Sequence, residues 1–176
     1  MDDANDRDTG WFRAVYDRHY ADVVRYGLRR LDPTSATSAT SSAEELAQEV
    51  FLVAWRRRWD VPSHALPWLY GVARRLLANH WRALRATPPP VELGERPATD
   101  RHDGVDQLLD VRAALTRLSD DDQEILRLVA WEQLAVGEAA LVLGCGVTAA
   151  KVRLHRARRR LTALLAEIPS PVGGTR

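Results

Sequence analysis

The sequence predicts an all-α protein of two small helical domains joined by a flexible, Pro-rich linker. Three observations carry that reading. Apolar residues recur at three- to four-residue intervals through most of the chain, and no segment sustains the period-two alternation of a half-buried strand. The stretch TPPPVELGERPATDRHDG, Thr87 to Gly104, holds four prolines and two glycines without a helical period, which suits an extended connection rather than a packed element. At 176 residues and 45% hydrophobic content, the chain has enough apolar material for two small cores. The boundaries follow: a first domain over residues 1–86, a linker over 87–104, a second domain over 105–168 and a disordered tail, PSPVGGTR, over 169–176.

Phe12, Val15, Tyr16, Tyr20, Val23, Val24 and Leu28 repeat at helical spacing and predict a helix from about Gly10 to Leu31. DPTSATSATSS, Asp32 to Ser42, is rich in small residues and predicts a mobile loop. A second helix is expected to open at Ser42, where Ser42 and Glu45 have capping-box spacing, and to run to about Trp59. The third begins near Pro67, tolerated in a first turn where no intrahelical N–H is required, and reaches about Ala86. In the second domain, a helix near Val105 to Leu118 precedes one capped by Ser119, whose first turn of Asp120, Asp121 and Asp122 suits the helix dipole. Shorter helices are expected at Val136 to Leu143 and Thr148 to Glu167.

Three helix faces hold residues that packing does not account for. Over 148–165, Ala150, Leu154, Ala157, Leu161, Leu164 and Leu165 share one arc, the expected core stripe. The opposite face carries Val152, His155, Arg156 and Arg159, flanked by Lys151, Arg153 and Arg160. Ala140 and Gly144 stand before it at helix-turn-helix spacing. A basic helix in that context fits a major groove, where arginines reach phosphates or guanine edges and an aliphatic group touches a thymine methyl. On the third helix, Leu69, Val72, Ala73, Leu76, Leu77, Ala83 and Leu84 form the core arc, leaving Trp68, Tyr70, Arg74, Arg75, Asn79, Trp81, Arg82 and Arg85 outside. Flat rings interleaved with cations suit a single strand of nucleic acid. The second helix has a narrow polar face, Glu45, Gln48, Glu49 and Arg56, with Leu52 at its centre: an apolar anchor ringed by charge, the pattern of a protein-docking face.

Composition narrows the function classes. The formal charge is only +1, but residues 51–86 and 151–176 each carry +6, and an acidic stretch precedes each. The single cysteine, Cys145, excludes an internal disulfide and a multi-cysteine zinc site, and reads as a small buried filler. The five histidines are too dispersed for a local metal motif, and no Gly-rich phosphate loop or nucleophile elbow is present, so neither an enzyme nor a cofactor or metal is expected. The acidic start MDDANDRDTGW is unlike a signal peptide and no apolar run is long enough to span a bilayer, which places the protein in the cytoplasm without membrane insertion.

These residues carry a family resemblance. AEELAQEVFLVAWRR resembles the core-binding helix, PWLYGVARRLLANHWR the promoter-melting helix, and LSDDDQEILRLVAWEQLAVGEAALVLG with GCGVTAAKVRLHRARRRL the region-four pattern of sigma-70-family RNA polymerase sigma factors of the extracytoplasmic function (ECF) type. It covers about Trp11 to Leu165. It implies an alternative sigma factor with two DNA grips. Thr148, Lys151, Val152, Arg153, His155, Arg156 and Arg159 would read a minus-35 duplex. Trp59, Ser63, His64, Trp68, Arg74, Arg75, Asn79 and Arg82 would hold the minus-10 non-template strand, with an extruded base in the loop Trp59 to Leu66. Glu45, Gln48, Glu49, Leu52 and Arg56 would dock on core RNA polymerase. The implied partners are core polymerase, through its β′ clamp helices and its β subunit, promoter DNA in double- and single-stranded form, and an anti-sigma factor. The chain departs from the pattern at Arg75 and Asn79, where the melting helix usually has Asn and Asp, at Val152, often a small polar residue, and at Ala135, often a capping Ser. Two alternatives stay open: a helix-turn-helix repressor independent of polymerase, and a sigma-like regulator that does not initiate.

Overall fold

The computed structural model describes residues 7–31, 36–86 and 111–167; the predicted linker and tail lie outside them. All regular structure among the described residues is helical. The helices are α1 (Thr9–Leu28), α2 (Ala36–Arg56), a 3-10 turn at Arg58–Asp60, α3 (Ala65–Ala86), α4 (described over 111–116), α5 (Asp120–Ala130), α6 (Val136–Leu143) and α7 (Val147–Ala166). The chain divides into two compact units, Met1–Pro89 and Pro90–Arg176, a division that falls inside the Pro-rich stretch.

In the first unit, α1, α2 and α3 pack pairwise around Val23, Tyr26, Leu46, Val50, Phe51, Leu69, Val72 and Leu77, all buried. Asp8 starts α1: its Oδ1 accepts from the backbone N–H of Gly10 at 2.8 Å and of Trp11 at 3.1 Å. Phe12, Tyr16 and Tyr20, one helical turn apart, lie over Phe51, and Phe12 also meets Trp55 edge-on at 5.3 Å. Gly27 lets α1 approach α2 closely, since a Cβ there would stand 3.2 Å from the Cβ of Ala43 and 3.3 Å from its Cα. Leu28, part of the predicted apolar repeat, is 38% exposed at the end of α1.

Three expectations for this unit are corrected. Residues 36–42 are helical rather than loop, so Ser42 is interior to α2 and Ser42 with Glu45 is no capping box. Ala43, Leu46 and Ala47 are buried one turn further on, and a helix held by packing extends at little cost through an Ala/Ser/Thr run free of Gly and Pro. α2 also stops earlier than Trp59, at Arg56, where the 3-10 turn takes over. Tyr70, assigned to the outer face of α3, is 2% exposed and stacks on Tyr26 at 4.8 Å, with the Arg30 guanidinium 3.4 Å from the other ring's centroid. A large ring at the border of the apolar arc gains more from burial than from solvent.

The second unit packs α5, α6 and α7 around Leu115, Leu118, Ile125, Leu126, Ala140, Ala150, Leu154 and Ala157, with Leu161 and Leu164 partly buried against them, as the stripe on α7 predicts. Cys145 is half-buried at the edge of this cluster. Ser119 caps α5, accepting from the N–H of Asp122 at 3.3 Å. α6 ends in a left-handed turn at Gly144, φ 67°, with Cys145 N–H donating to the Ala140 carbonyl at 3.0 Å. This turn, followed by Gly146 as the N-cap of α7, fixes the helix-turn-helix. Ala135 supplies no side-chain cap to α6; instead the Glu138 carboxylate accepts from the Ala135 N–H at 2.8 Å, which satisfies one donor at the helix start.

Candidate nucleic-acid interface

On α7 the core residues Ala150, Leu154 and Ala157 turn the other face outward. Thr148, Lys151, His155, Arg156 and Arg159 are exposed, and Val152 is 44% exposed among them. The cations on this helix are not equivalent. Arg153 is half-buried and pairs with Asp121 of α5 at 3.1 Å, and Arg160 binds Asp122, whose carboxylate is buried. Among the described residues, Lys151, Arg156 and Arg159 have no ion-pair partner, which leaves them available to an external anion. The acidic first turn of α5, read from sequence as a dipole effect, thus also ties α7 to the core.

In the first unit the loop before α3 is anchored at both ends, by Val61 (1% exposed) and Ala65 (4%), so Ser63 and His64 between them are presented to solvent. Trp59, in the 3-10 turn, is 54% exposed. Along α3, Arg75, Asn79 and Arg82 are exposed, while Trp68, Arg74 and Trp81 are half-buried, each indole offering only part of its ring. Arg82 donates to Asn79 Oδ1 at 2.8 Å and Arg75 Nε to the Gly71 carbonyl at 3.1 Å; both hold their guanidinium along the helix. The His80 ring meets Trp81 edge-on at 5.4 Å. Leu84 and Arg85 have no described side-chain environment.

The polar face of α2 is where the periodicity puts it. Glu45, Gln48, Glu49 and Arg56 are exposed, and Leu52 is 53% exposed between them. Sequence reasoning missed three exposed apolar groups of the second unit: Trp131 (44%), Leu141 (71%) and Val147 (46%). Leu141 could have been found, because α6 buries Ala139, Ala140 and Val142 and leaves position 141 on the outer side.

One titratable group stands apart. His19 on α1 is largely buried, its Nδ1 lies 3.7 Å from Asp22 Oδ2, too far for a hydrogen bond, and among the described residues that nitrogen has no hydrogen-bond partner. Burial holds this imidazole below its ordinary value, opposed by the Asp22 carboxylate and reinforced by Arg18 and His64. Among the described residues, no three His, Cys, Asp or Glu side chains gather as a metal centre would need, and no helix is long and apolar enough to cross a membrane.

The Sigma-70 region 2 family profile matches residues 15–87, and the Sigma-70, region 4 profile matches residues 108–161. The chain is 36% identical over 133 residues to the ECF RNA polymerase sigma factor SigC of Mycobacterium tuberculosis, covering 72% of this chain and 71% of that one. It belongs to the sigma-70 family, among factors of the ECF type. A second relative, the ECF RNA polymerase sigma factor SigL of M. tuberculosis, is 29% identical over 164 residues, 89% of each chain. Two solved structures share the sigma-factor fold at a TM-score of 0.62. One is the sigma factor RpoE in complex with the anti-sigma factor NepR from Bartonella quintana (21% identity, 90% of this chain and 98% of that one). The other is CnrH in complex with the cytosolic domain of CnrY (23%, 92% of each). Sigma-70 region 2 therefore comprises most of α1 together with α2 and α3, and region 4 holds the helix-turn-helix.

Proposed function

We propose that this ECF factor binds core RNA polymerase and directs promoter-specific initiation, reading a minus-35 element as duplex and a minus-10 element as single strand. The observation that carries the reading is the chemical difference between its two basic surfaces. On α7, unpaired Lys151, Arg156 and Arg159 surround exposed Val152 on a helix-turn-helix, a combination that reads base edges and phosphates of a closed duplex. On α3 and its preceding loop, cations alternate with partly open indoles, a combination that stacks unpaired bases and has no use for a closed duplex.

In this reading Thr148 to Arg159 enter the major groove. Trp59, Ser63, His64, Trp68, Arg74, Arg75, Asn79 and Arg82 hold the non-template strand once it parts from its complement. The exposed strip Glu45, Gln48, Glu49, Leu52 and Arg56 docks on the β′ clamp helices, with further contacts to the β subunit. Polymerase supplies the chemistry, and this chain contributes binding energy that favours the open strand. The complex of RpoE with the anti-sigma factor NepR among the similar structures supports an anti-sigma factor as a further partner.

Run-off transcription with purified core polymerase on a genomic promoter library tests the proposal. Promoter-specific transcripts that depend on this chain are expected. DNA binding without a transcript would instead favour a repressor, and polymerase binding without a transcript a regulator that does not initiate.

A further inference from the structure

We infer that Arg58 is a positioning residue that holds the Trp59 indole ready to stack on an unpaired nucleobase. The inference rests on the minus-10 reading above and deepens it. Arg56, Arg57 and Arg58 follow one another at the end of α2, and by charge alone they are interchangeable. Their surroundings separate them. Arg56 is exposed, and Arg57 Nε binds Asp60 Oδ2 at 2.9 Å, closing the 3-10 turn. Arg58 is half-buried, and its guanidinium lies against two indoles, 4.8 Å from the Trp55 centroid and 5.3 Å from the Trp59 centroid. Its Nη1 also donates to the Trp55 carbonyl at 3.2 Å, one of the carbonyls left open at the end of α2.

The backbone is held as well. Arg7 Nη1 donates to the Arg58 carbonyl, and the Arg7 guanidinium lies 5.3 Å from the Trp11 centroid, so the segment before α1 fastens the turn that presents Trp59. A cation on one part of an indole and 54% of the residue open to solvent is a half-built sandwich. A free surface indole samples several rotamers, and ordering it opposes binding. An indole already held by Arg58 avoids that loss, and the nearby positive charge attracts the strand's phosphates. Arg58 itself need not touch DNA.

The test uses holoenzyme assembled from core polymerase and the full chain, and a promoter recovered in the transcription assay. The probe is that promoter made with a non-complementary bubble across its minus-10 element, compared with the closed minus-35 duplex. Arg58→Ala is expected to weaken bubble binding about three- to tenfold and to leave duplex binding unchanged. Arg58→Lys, which keeps a cation near both rings, restores most of the loss. In a Trp59→Ala background, the additional Arg58→Ala change has no effect, whereas a merely structural role would produce the same loss in both backgrounds. Equal losses in both backgrounds, or wild-type bubble binding by Arg58→Ala, overturns the inference. If Arg58→Ala unfolds the unit, Arg58→Gln, which keeps a donor for the Trp55 carbonyl and removes the charge, is read by the same criteria. Arg82→Ala separates the two levels: if it weakens bubble binding and the Arg58 variants do not, only the inference fails. If neither matters, or no promoter is recovered, the minus-10 reading fails and the inference with it.

Discussion

Arg153 and Arg156 are three positions apart on one helix and differ in what holds them. Arg156 and Arg159 are exposed, so replacing either by Ala is expected to weaken minus-35 binding by about 1–3 kcal/mol where the side chain reads a base. A phosphate contact gives a different signature, a salt slope shallower by about one. Titration of each variant at several salt concentrations distinguishes the two, and unchanged binding by both variants removes the groove assignment. Arg153 already pairs with Asp121 at the half-exposed surface. Asp121→Asn is therefore expected to raise duplex affinity modestly at low salt, an effect that added salt removes. His19 gives a pH test. Its folded-state value is lowered, so the unfolded chain takes up the proton first, and the first unit loses stability as pH falls below about 6.5 toward the folded value. Acid melts of wild type and His19→Gln measure it, and the variant should show the shallower slope. The periodicity of α7 made Ala150, Leu154 and Ala157 legible as core, and with them the outward residues. It could not show Arg153 and Arg160 reaching α5, because ion pairs across helices leave no mark on the spacing within one.

At the scale of the helix, α2 was the most instructive. Its exposed polar face was readable because Glu45, Gln48, Glu49, Leu52 and Arg56 follow the helical repeat whatever its first residue is. Its start was misplaced by six residues, because a capping-box spacing inside a helix has the same sequence as one at its end. Leu52→Asp is expected to abolish core-polymerase binding with helicity and melting temperature unchanged, since the side chain is exposed in the free protein. Retained binding by the folded variant would remove that face from the proposal. α6 is the converse case: Ala135 stands where a capping Ser is often found and offers no side-chain cap, and the Glu138 carboxylate closes part of the gap from inside. Glu138→Ala should cost about 0.5–2 kcal/mol of second-unit stability, read by chemical denaturation.

For the whole molecule, the fold class and the place where the chain divides were legible because the signals are long: helical periodicity in both units, and four prolines in eighteen residues between them. The contacts around the turn at Arg58–Asp60 were not, since they involve Arg7, fifty-one positions from Arg58, and two indoles brought together by folding. The two +6 blocks make a general prediction about promoter binding by the holoenzyme. Its affinity should fall steeply with salt, with a slope near −0.9 per duplex phosphate neutralised and near −0.7 per single-strand phosphate. A promoter opened beforehand should therefore show a different slope from a closed one.

The placement of the rings also makes the two units optically distinct. Trp131 is the sole aromatic residue beyond position 81; all four tyrosines, both phenylalanines and the other five tryptophans lie in the first unit. Near-ultraviolet dichroism is thus almost wholly a signal of that unit, where Tyr26 stacks on Tyr70 and Phe12, Tyr16 and Tyr20 gather over Phe51. Trp131→Phe would silence the other unit's indole emission, and the difference from wild type would isolate it, so one unlabelled sample pair follows both halves of the chain through the same titration.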